Sequence, residues 1–168
     1  GTPSFDGPAR AITATAIASS IVDSGIISVV GTAAGAAFGF TGTAGIDNSG
    51  RLGVTGKGIN FTLGGFTAGQ MTALNNAILA GNKNVGELTY TGVVAADIDY
   101  SAATAGNITL NALTTGAFNV KGGGADVVLN GVDASGQTAG THEISGKNVT
   151  VATGTNTLKT IKSNDGAL

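Results

Sequence analysis

Asn107-Ile108-Thr109-Leu110 is the stretch that decides how this chain is expected to fold, because variants of it recur along the sequence. The related phrases are Asn60-Phe61-Thr62-Leu63, Asn119-Val120-Lys121 and Asn148-Val149-Thr150-Val151. In each phrase apolar residues alternate with small or polar ones, and alternation with a period of two is typical of a strand with one buried face. Gly-rich turns separate the phrases, so we expect the chain to build sheet surface rather than a catalytic pocket.

Strand signals continue from Glu87 toward the end of the chain at intervals of about 8–12 residues. They are Leu88–Val94, Asn107–Ala112, Ala117–Lys121, Asp126–Asn130, His142–Ser145, Asn148–Ala152 and Thr157–Ile161. We therefore predict a mainly β fold, in the form of a β-sandwich or jelly-roll-like domain with one short helix. A parallel β-helix or solenoid is the alternative, because stacked coils also repeat a strand phrase and can align asparagine side chains in ladders.

The short helix is expected at about residues 68–80. Thr67 is a suitable N-cap, and Gln70 stands at the position that completes a capping box. Apolar residues then repeat at spacings of three and four, and Gly81 suits the position that follows the end of a helix. We expect this helix to cover one open end or one face of the sheet structure.

The distribution of charge divides the chain into two parts. Between Arg10 and Asp47 the only ionisable residue is Asp23, whereas charges recur steadily afterwards. We therefore expect residues 1–50 to form a low-charge N-terminal arm and residues 51–168 to form the β-rich domain. A membrane-spanning helix in the arm is disfavoured, because the uncharged stretch is only mildly hydrophobic and lacks flanking aromatic or Lys/Arg anchors.

Composition excludes several classes of function. Charged residues make up 11% of the 168 residues and the net charge is −2, so there is no basic surface to hold nucleic-acid phosphates. Cysteine is absent, which excludes disulfides, thiolate nucleophiles and cysteine-ligated zinc. Disorder is also disfavoured, because disordered segments are typically rich in charge and poor in β-branched residues.

Low charge, the absence of cysteine and a high content of Gly, Ala, Thr and Asn characterise the whole chain. In this composition the chain resembles secreted microbial surface-layer, adhesin or fibre-type structural proteins. The resemblance implies a secreted or cell-surface location and a structural role rather than an enzymatic one.

The search for catalytic residues leads us to expect that the protein is not an enzyme. The only histidine, His142, stands beside Glu143. Adjacent strand residues point to opposite faces, so these two side chains are poorly placed to act as a general base and its orienting partner. Zinc-protease, phosphate-loop and nucleophile-elbow motifs do not occur in the sequence.

Four aspartates are candidates for a structural calcium site, and no other cofactor is expected. Asp97 and Asp99 would lie on one face of a strand or around a tight loop, where both carboxylates could ligate the same ion. Asp126 and Asp133 could contribute further oxygen ligands in the folded chain, and oxygen ligands are what calcium prefers. The alternative is that these aspartates are solvated turn residues.

The leading functional hypothesis is a structural, self-assembling subunit of an extracellular filament, fibre or surface layer. Soluble monomers normally protect strand edges with Lys, Pro or bulges, and this chain has little charge and only two prolines, both near its start. The arm is expected to pair with the sheet edge of a neighbouring copy, as a donated strand does. The candidate subunit contacts are Ile12, Ile17, Ile21, Ile26 and Val29.

The alternative hypothesis is an adhesin, or a virion decoration or fibre module, that binds a glycan or a receptor. Recognition of a sugar commonly needs an exposed aromatic ring, and Tyr90 and Tyr100 are the candidates for this role. The two hypotheses predict different behaviour, since the first requires concentration-dependent polymers and the second a discrete particle with a defined ligand.

Overall fold

The computed structural model describes residues 4–5, 10–13, 22–23, 27–30, 58–64, 66–79 and 83–168, and the fold is given for these residues. The first strands are β1 (Ser4–Phe5), β2 (Arg10–Thr13), β3 (Val22–Asp23), β4 (Ile27–Val30) and β5 (Gly58–Thr62). Helix α1 (Ala68–Leu79) follows. The remaining strands are β6 (Asn84–Val93), β7 (Ile98–Asp99), β8 (Ala105–Thr114), β9 (Val120–Lys121), β10 (Asp126–Asp133), β11 (Ile144–Val151) and β12 (Ile161–Ala167).

The long strands stack in register as successive coils of a parallel β-solenoid. Leu88 of β6 is paired with Ile108 of β8, which is paired in turn with Val127 of β10, and Val127 is paired with Val149 of β11. The chain therefore returns to the same position after 20, 19 and 22 residues. This stack, which we call the first stack, also contains β5, β4 and β2.

A second stack of shorter strands lies on the return path of each coil. It consists of β7, β9, the beginning of β11 and β12, and Ile144 of β11 has partners on both sides, Val120 and Ile161. Strand β11 runs on from the second stack into the first, where its last residues pair with β10.

The prediction of a mainly β fold is confirmed, and the architecture is the solenoid that the sequence offered as the alternative. The preferred β-sandwich or jelly roll is not the arrangement found. Those folds are built from antiparallel sheets, whereas all the described strand pairs are parallel.

Two of the four recurring asparagine phrases occupy the same position in the coils, and the other two do not. The phrases that begin at Asn107 and Asn148 are equivalent, because both align with the segment of β10 that begins at Asp126. The phrase at Asn60 is displaced by two residues, since Asn60 is paired with Thr89, and the phrase at Asn119 leads into β9 of the second stack. The shared phrase therefore identifies a type of strand, but not the stack to which the strand belongs.

The core lies inside the coils and is formed by columns of apolar side chains that stack from one coil to the next. One such column is Phe61, Tyr90, Leu110 and Leu129, and each of these residues is at most 1% exposed. Burial of a large apolar side chain contributes about 1.5–3 kcal/mol to stability relative to leaving it exposed. Stacked columns of this kind are therefore the main source of stability for a chain that has no disulfide.

Helix α1 begins and ends within one residue of the range expected from its capping residues, and the backbone N–H of Met71 donates to the carbonyl of Thr67 at 3.0 Å. The helix contacts β6 and β7, and β7 is the last strand of the second stack among the described strands. Helix α1 therefore covers the edge of the second stack, in line with its expected role. It is not of a length and apolarity that would allow it to cross a membrane.

Two of the described N-terminal strands, β2 and β4, join the first stack within the same chain, whereas β1 and β3 pair with each other in a separate two-stranded sheet. Ile12 of β2 is paired with Val29 of β4, and Val29 is paired with Phe61 of β5. The division of the chain near residue 50 stays a prediction, because residues 31–57 lie outside the described residues.

Candidate functional site

A groove of about 720 Å³ lies between α1 and the loops that surround β7. Its volume falls in the range of about 300–1,000 Å³ that is usual for small-molecule sites. The helix wall consists of Ala68, Thr72, Asn75, Asn76 and Leu79. The opposite wall consists of Ala95, Ala96, Asp97, Asp99, Ser101, Ala102 and Phe118.

The two walls are joined by hydrogen bonds from buried or partly buried groups. The side-chain amide of Asn75 donates from Nδ2 to the carbonyl oxygen of Asp97 at 3.2 Å, and its Oδ1 accepts from the hydroxyl of Tyr90 at 3.3 Å. The backbone N–H of Ala95 donates to the sulfur of Met71 at 3.3 Å. These bonds fix the helix against the loop, so the groove has a defined width.

The carboxylates of Asp97 and Asp99 are exposed on the same side of β7 and both are oriented by hydrogen bonds. The Oδ1 atom of Asp97 accepts from the backbone N–H of Asn119 at 2.8 Å. The Oδ1 atom of Asp99 accepts from the backbone N–H of Ser101 at 2.9 Å and from its hydroxyl at 2.5 Å.

The pKa of Asp99 lies below its ordinary value. Partial burial opposes the charge of the carboxylate, but the hydrogen bonds from Ser101 and the positive charge of Lys121 outweigh that effect. Asp99 is therefore a charged hydrogen-bond acceptor at neutral pH.

The structure does not bring the four candidate calcium ligands together. Asp97 and Asp99 line the groove, whereas Asp126 accepts from the side-chain amide of Asn148 at 2.9 Å and Asp133 from the backbone N–H of Ser135 at 2.9 Å. Within the described ranges there is no group of three or more His, Asp or Glu side chains that could hold a metal ion. The calcium site stays a prediction for which the described residues assemble no ligand set.

The expectation that Tyr90 and Tyr100 stack on a sugar is wrong. Both rings are 0% exposed, and their hydroxyl groups are hydrogen-bonded to each other inside the solenoid. Burial raises the pKa of both tyrosines well above the ordinary value, so both stay protonated in the folded protein. The aromatic ring that does line the groove is Phe118, which is half-buried.

His142 and Glu143 take part in turns and in contacts between coils. The Nδ1 atom of His142 accepts from the backbone N–H of Thr138 at 2.9 Å, and the backbone N–H of Glu143 donates to Oδ1 of Asn119 at 2.8 Å. The absence of enzymatic activity stays a prediction.

The candidate subunit contacts fall partly on described strands. Ile12 lies in β2 and Val29 in β4, and these two strands pair with each other. Ile17, Ile21 and Ile26 lie outside the described residues. Their contact with a second copy of the chain stays a prediction.

A second candidate site is the outer side of Val149–Val151, which we call the β11 edge. These residues pair with β10 on one side, while β12 pairs with the preceding part of β11, from Ile144 to Asn148. Among the described strands, the β11 edge has no partner on its other side. Val151 is paired with the fully buried Leu129 and continues its column, yet it is 51% exposed.

Comparisons of the chain with protein-family models, with curated proteins and with solved structures give no match. The groove and the β11 edge are therefore the features from which a function is inferred.

Proposed function

We propose that this protein is a structural subunit that self-assembles into an extracellular filament, fibre or surface layer by pairing of strand edges. The observation that carries the proposal is the β11 edge, where a ladder of the first stack has no second partner among the described strands. The compositional resemblance to secreted surface proteins supports the extracellular location.

The chemistry of the β11 edge favours the addition of a strand. An unpaired edge presents backbone N–H and C=O groups that a further strand can satisfy, and such additions give affinity through main-chain hydrogen bonds. A strand placed there would also cover Val151 and so continue the apolar column that is buried elsewhere in the solenoid. Burial of apolar surface gives such a contact its driving force.

The β11 edge also lacks the features that usually protect an edge from association. Its sequence, Val149-Thr150-Val151, contains neither a charged residue nor proline. In contrast, β2 at the opposite end of the described strand order contains a charged residue, Arg10, and charged residues are among the features that limit edge pairing. The β11 edge is therefore the better candidate for the associating surface.

The proposal is tested by negative-stain electron microscopy and sedimentation velocity over a range of protein concentrations, with and without calcium. We expect polymers whose fraction rises with concentration, because association by an edge follows mass action. A protein that stays monomeric at every concentration under both conditions would contradict the proposal. Polymers that form only with calcium would support the proposed calcium site as well.

The second candidate function is that of a binding module, either an adhesin or a virion decoration or fibre protein. The observation that favours it is the groove between α1 and β7, whose walls present both carboxylates and apolar surface. Discrete particles at all concentrations, together with binding to a defined glycan or receptor, would support this function over the first.

A further inference from the structure

We propose that the groove between α1 and β7 is a binding site for a neutral saccharide. This inference rests on the second candidate function and names its ligand class, and it does not require self-assembly, because the groove and the β11 edge consist of different residues. It is carried by the acceptors that the groove presents, by the balance of charge around them and by the apolar surface between them.

The groove offers oriented acceptors, so its ligand must bring hydrogen-bond donors. Both bonds from Ser101 to Asp99 end on Oδ1, which leaves Oδ2 of Asp99 to accept from a ligand. Asp97 is held in place by Asn119, and an ionised carboxylate has more lone pairs than these bonds occupy. Hydroxyl groups that donate to a carboxylate form short, charge-assisted hydrogen bonds, and a sugar presents several hydroxyls in a fixed arrangement.

The negative charge of the groove is partly offset by a neighbouring lysine, so a neutral donor can satisfy its carboxylates. Lys121 is the register partner of Asp99 in the neighbouring strand, and its positive charge acts on that carboxylate. The helix wall has no charged residue, and Thr72 and Asn76 are exposed on it as a hydroxyl and an amide. A ligand would therefore meet two carboxylates, one of which is partly offset by Lys121, and a helix wall that is neutral.

Apolar surface lies between these polar groups. Phe118 and the alanines on both walls provide a patch against which the carbon-bound hydrogens of a sugar ring can pack. Small-molecule sites commonly combine a mostly apolar lining with a few placed polar groups, and this groove follows that pattern. The two walls are already tied together by Asn75, so little ordering is needed on binding.

The test is a panel of soluble neutral polysaccharides and oligosaccharides, screened by affinity electrophoresis and measured by isothermal titration calorimetry. Binding is measured at a protein concentration where sedimentation shows monomer, so failure of self-assembly does not affect the result. We expect at least one neutral saccharide to bind, and Asp99→Asn and Phe118→Leu each to weaken it by about tenfold or more. Asn76→Ala is a third groove variant. The side chain of Asn76 is exposed, so weaker binding by this variant would not reflect a loss of folding.

The matched control is Asp133→Asn. Asp133 accepts from Ser135 as Asp99 accepts from Ser101, in the same Asp-x-Ser turn, but it does not line the groove. We expect the control to bind the saccharide as the unmodified protein does.

Three results would overturn the proposal. The first is that no member of the panel binds, and the second is that a bound saccharide is equally affected by the groove variants and by the control. The third is displacement of the saccharide by spermine at lower concentration than by free sugar, which would identify the groove as a cation site.

Discussion

Asn75, Tyr90 and Tyr100 form a buried polar chain that connects α1 with the solenoid. The hydroxyl of Tyr90 is hydrogen-bonded both to the hydroxyl of Tyr100 and to Oδ1 of Asn75, and the ring of Phe61 stacks on that of Tyr90 at 4.7 Å. Buried polar groups of this kind stabilise a fold only while all members are paired. The position of the helix, and with it the width of the groove, therefore depends on a few hydroxyl and amide groups.

Tyr90→Phe is expected to lower the free energy of unfolding by about 1–3 kcal/mol, because it leaves buried polar groups of both neighbours without a partner. Tyr100→Phe is expected to lower the free energy of unfolding by a smaller amount, since the hydroxyl of Tyr90 can still donate to Asn75. The free energies are measured by urea unfolding followed by circular dichroism. An equal or larger loss for Tyr100→Phe would contradict this account of the network.

The same tyrosines make the stability of the fold sensitive to alkaline pH. Unfolded tyrosine ionises near pH 10, whereas burial raises the pKa of both groups in the folded protein. Above about pH 10 the unfolded state therefore binds fewer protons than the folded state, and stability falls by up to about 1.4 kcal/mol per pH unit for each tyrosine. Below that pH this contribution is fully present.

The measurement is a titration of tyrosinate absorbance together with circular dichroism. These are the only two tyrosines and tryptophan is absent, so the absorbance signal is specific. We expect tyrosinate to appear together with the loss of the β spectrum. Ionisation of either tyrosine near pH 10 in a protein that is still folded would contradict the burial of its hydroxyl.

At the scale of elements, the turn Gly122–Gly124 between β9 and β10 shows how closely the coils approach one another. A Cβ atom on Gly122 would lie 2.6 Å from Cγ2 of Val127, and one on Gly124 would lie 2.7 Å from the carbonyl oxygen of Ala103 in the preceding coil. Neighbouring strands are about 4.8 Å apart, so there is no space for a side chain between stacked turns. Gly123 and Gly124, whose added Cβ atoms would clash with carbonyl oxygens of the preceding coil, are therefore required by packing between coils.

Gly124→Ala is expected to destabilise the protein by about 1–3 kcal/mol, the usual range for overpacking of a site that cannot expand. Gly64→Ala is the matched control, because no atom lies within 4 Å of its added Cβ. Gly64→Ala is expected to change the free energy of unfolding by no more than about 0.5 kcal/mol. Thermal unfolding of the two variants measures the difference, and equal melting temperatures would show that the turn can relax.

At the scale of the whole molecule, local signals could be predicted from the sequence and partners distant in sequence could not. The capping residues around α1 predicted a helix correctly, since capping depends on neighbours within one turn. Alternation identified the strands, but parallel coils and antiparallel hairpins share the same period of two. The internal repeat is also hidden, because α1 lies between β5 and β6 and separates the paired residues Ile59 and Leu88 by 29 positions.

One wall of the groove could be predicted from the sequence, because the relative position of its two aspartates depends on local neighbours. A period of two predicted that Asp97 and Asp99 share a face, and the structure places both in one wall. The opposite wall depends on the contact between Asn75 and Asp97, which are 22 residues apart and show no local pattern that links them. The burial of Tyr90 and Tyr100 likewise follows from the stacking of coils rather than from their immediate neighbours.

The last prediction concerns assembly and compares two exposed valines. Val151 is 51% exposed at the β11 edge, whereas Val93 is 62% exposed at the end of β6, which lies between β5 and β8 in the strand order. We expect Val151→Lys to abolish concentration-dependent polymers, because a charge on an open edge opposes the addition of a strand. Val93→Lys adds the same charge to a strand in the interior of the strand order and is expected to assemble like the unmodified protein.

Sedimentation velocity of both variants, with circular dichroism as the check of folding, measures this difference. Both positions are exposed, so neither lysine has to be buried in the monomer and both variants are expected to fold. Loss of assembly in both variants would point to a general effect of net charge rather than to the edge. If Val151→Lys assembles at the same concentration as the unmodified protein, the subunits associate through a different surface and the β11 edge has no role in assembly.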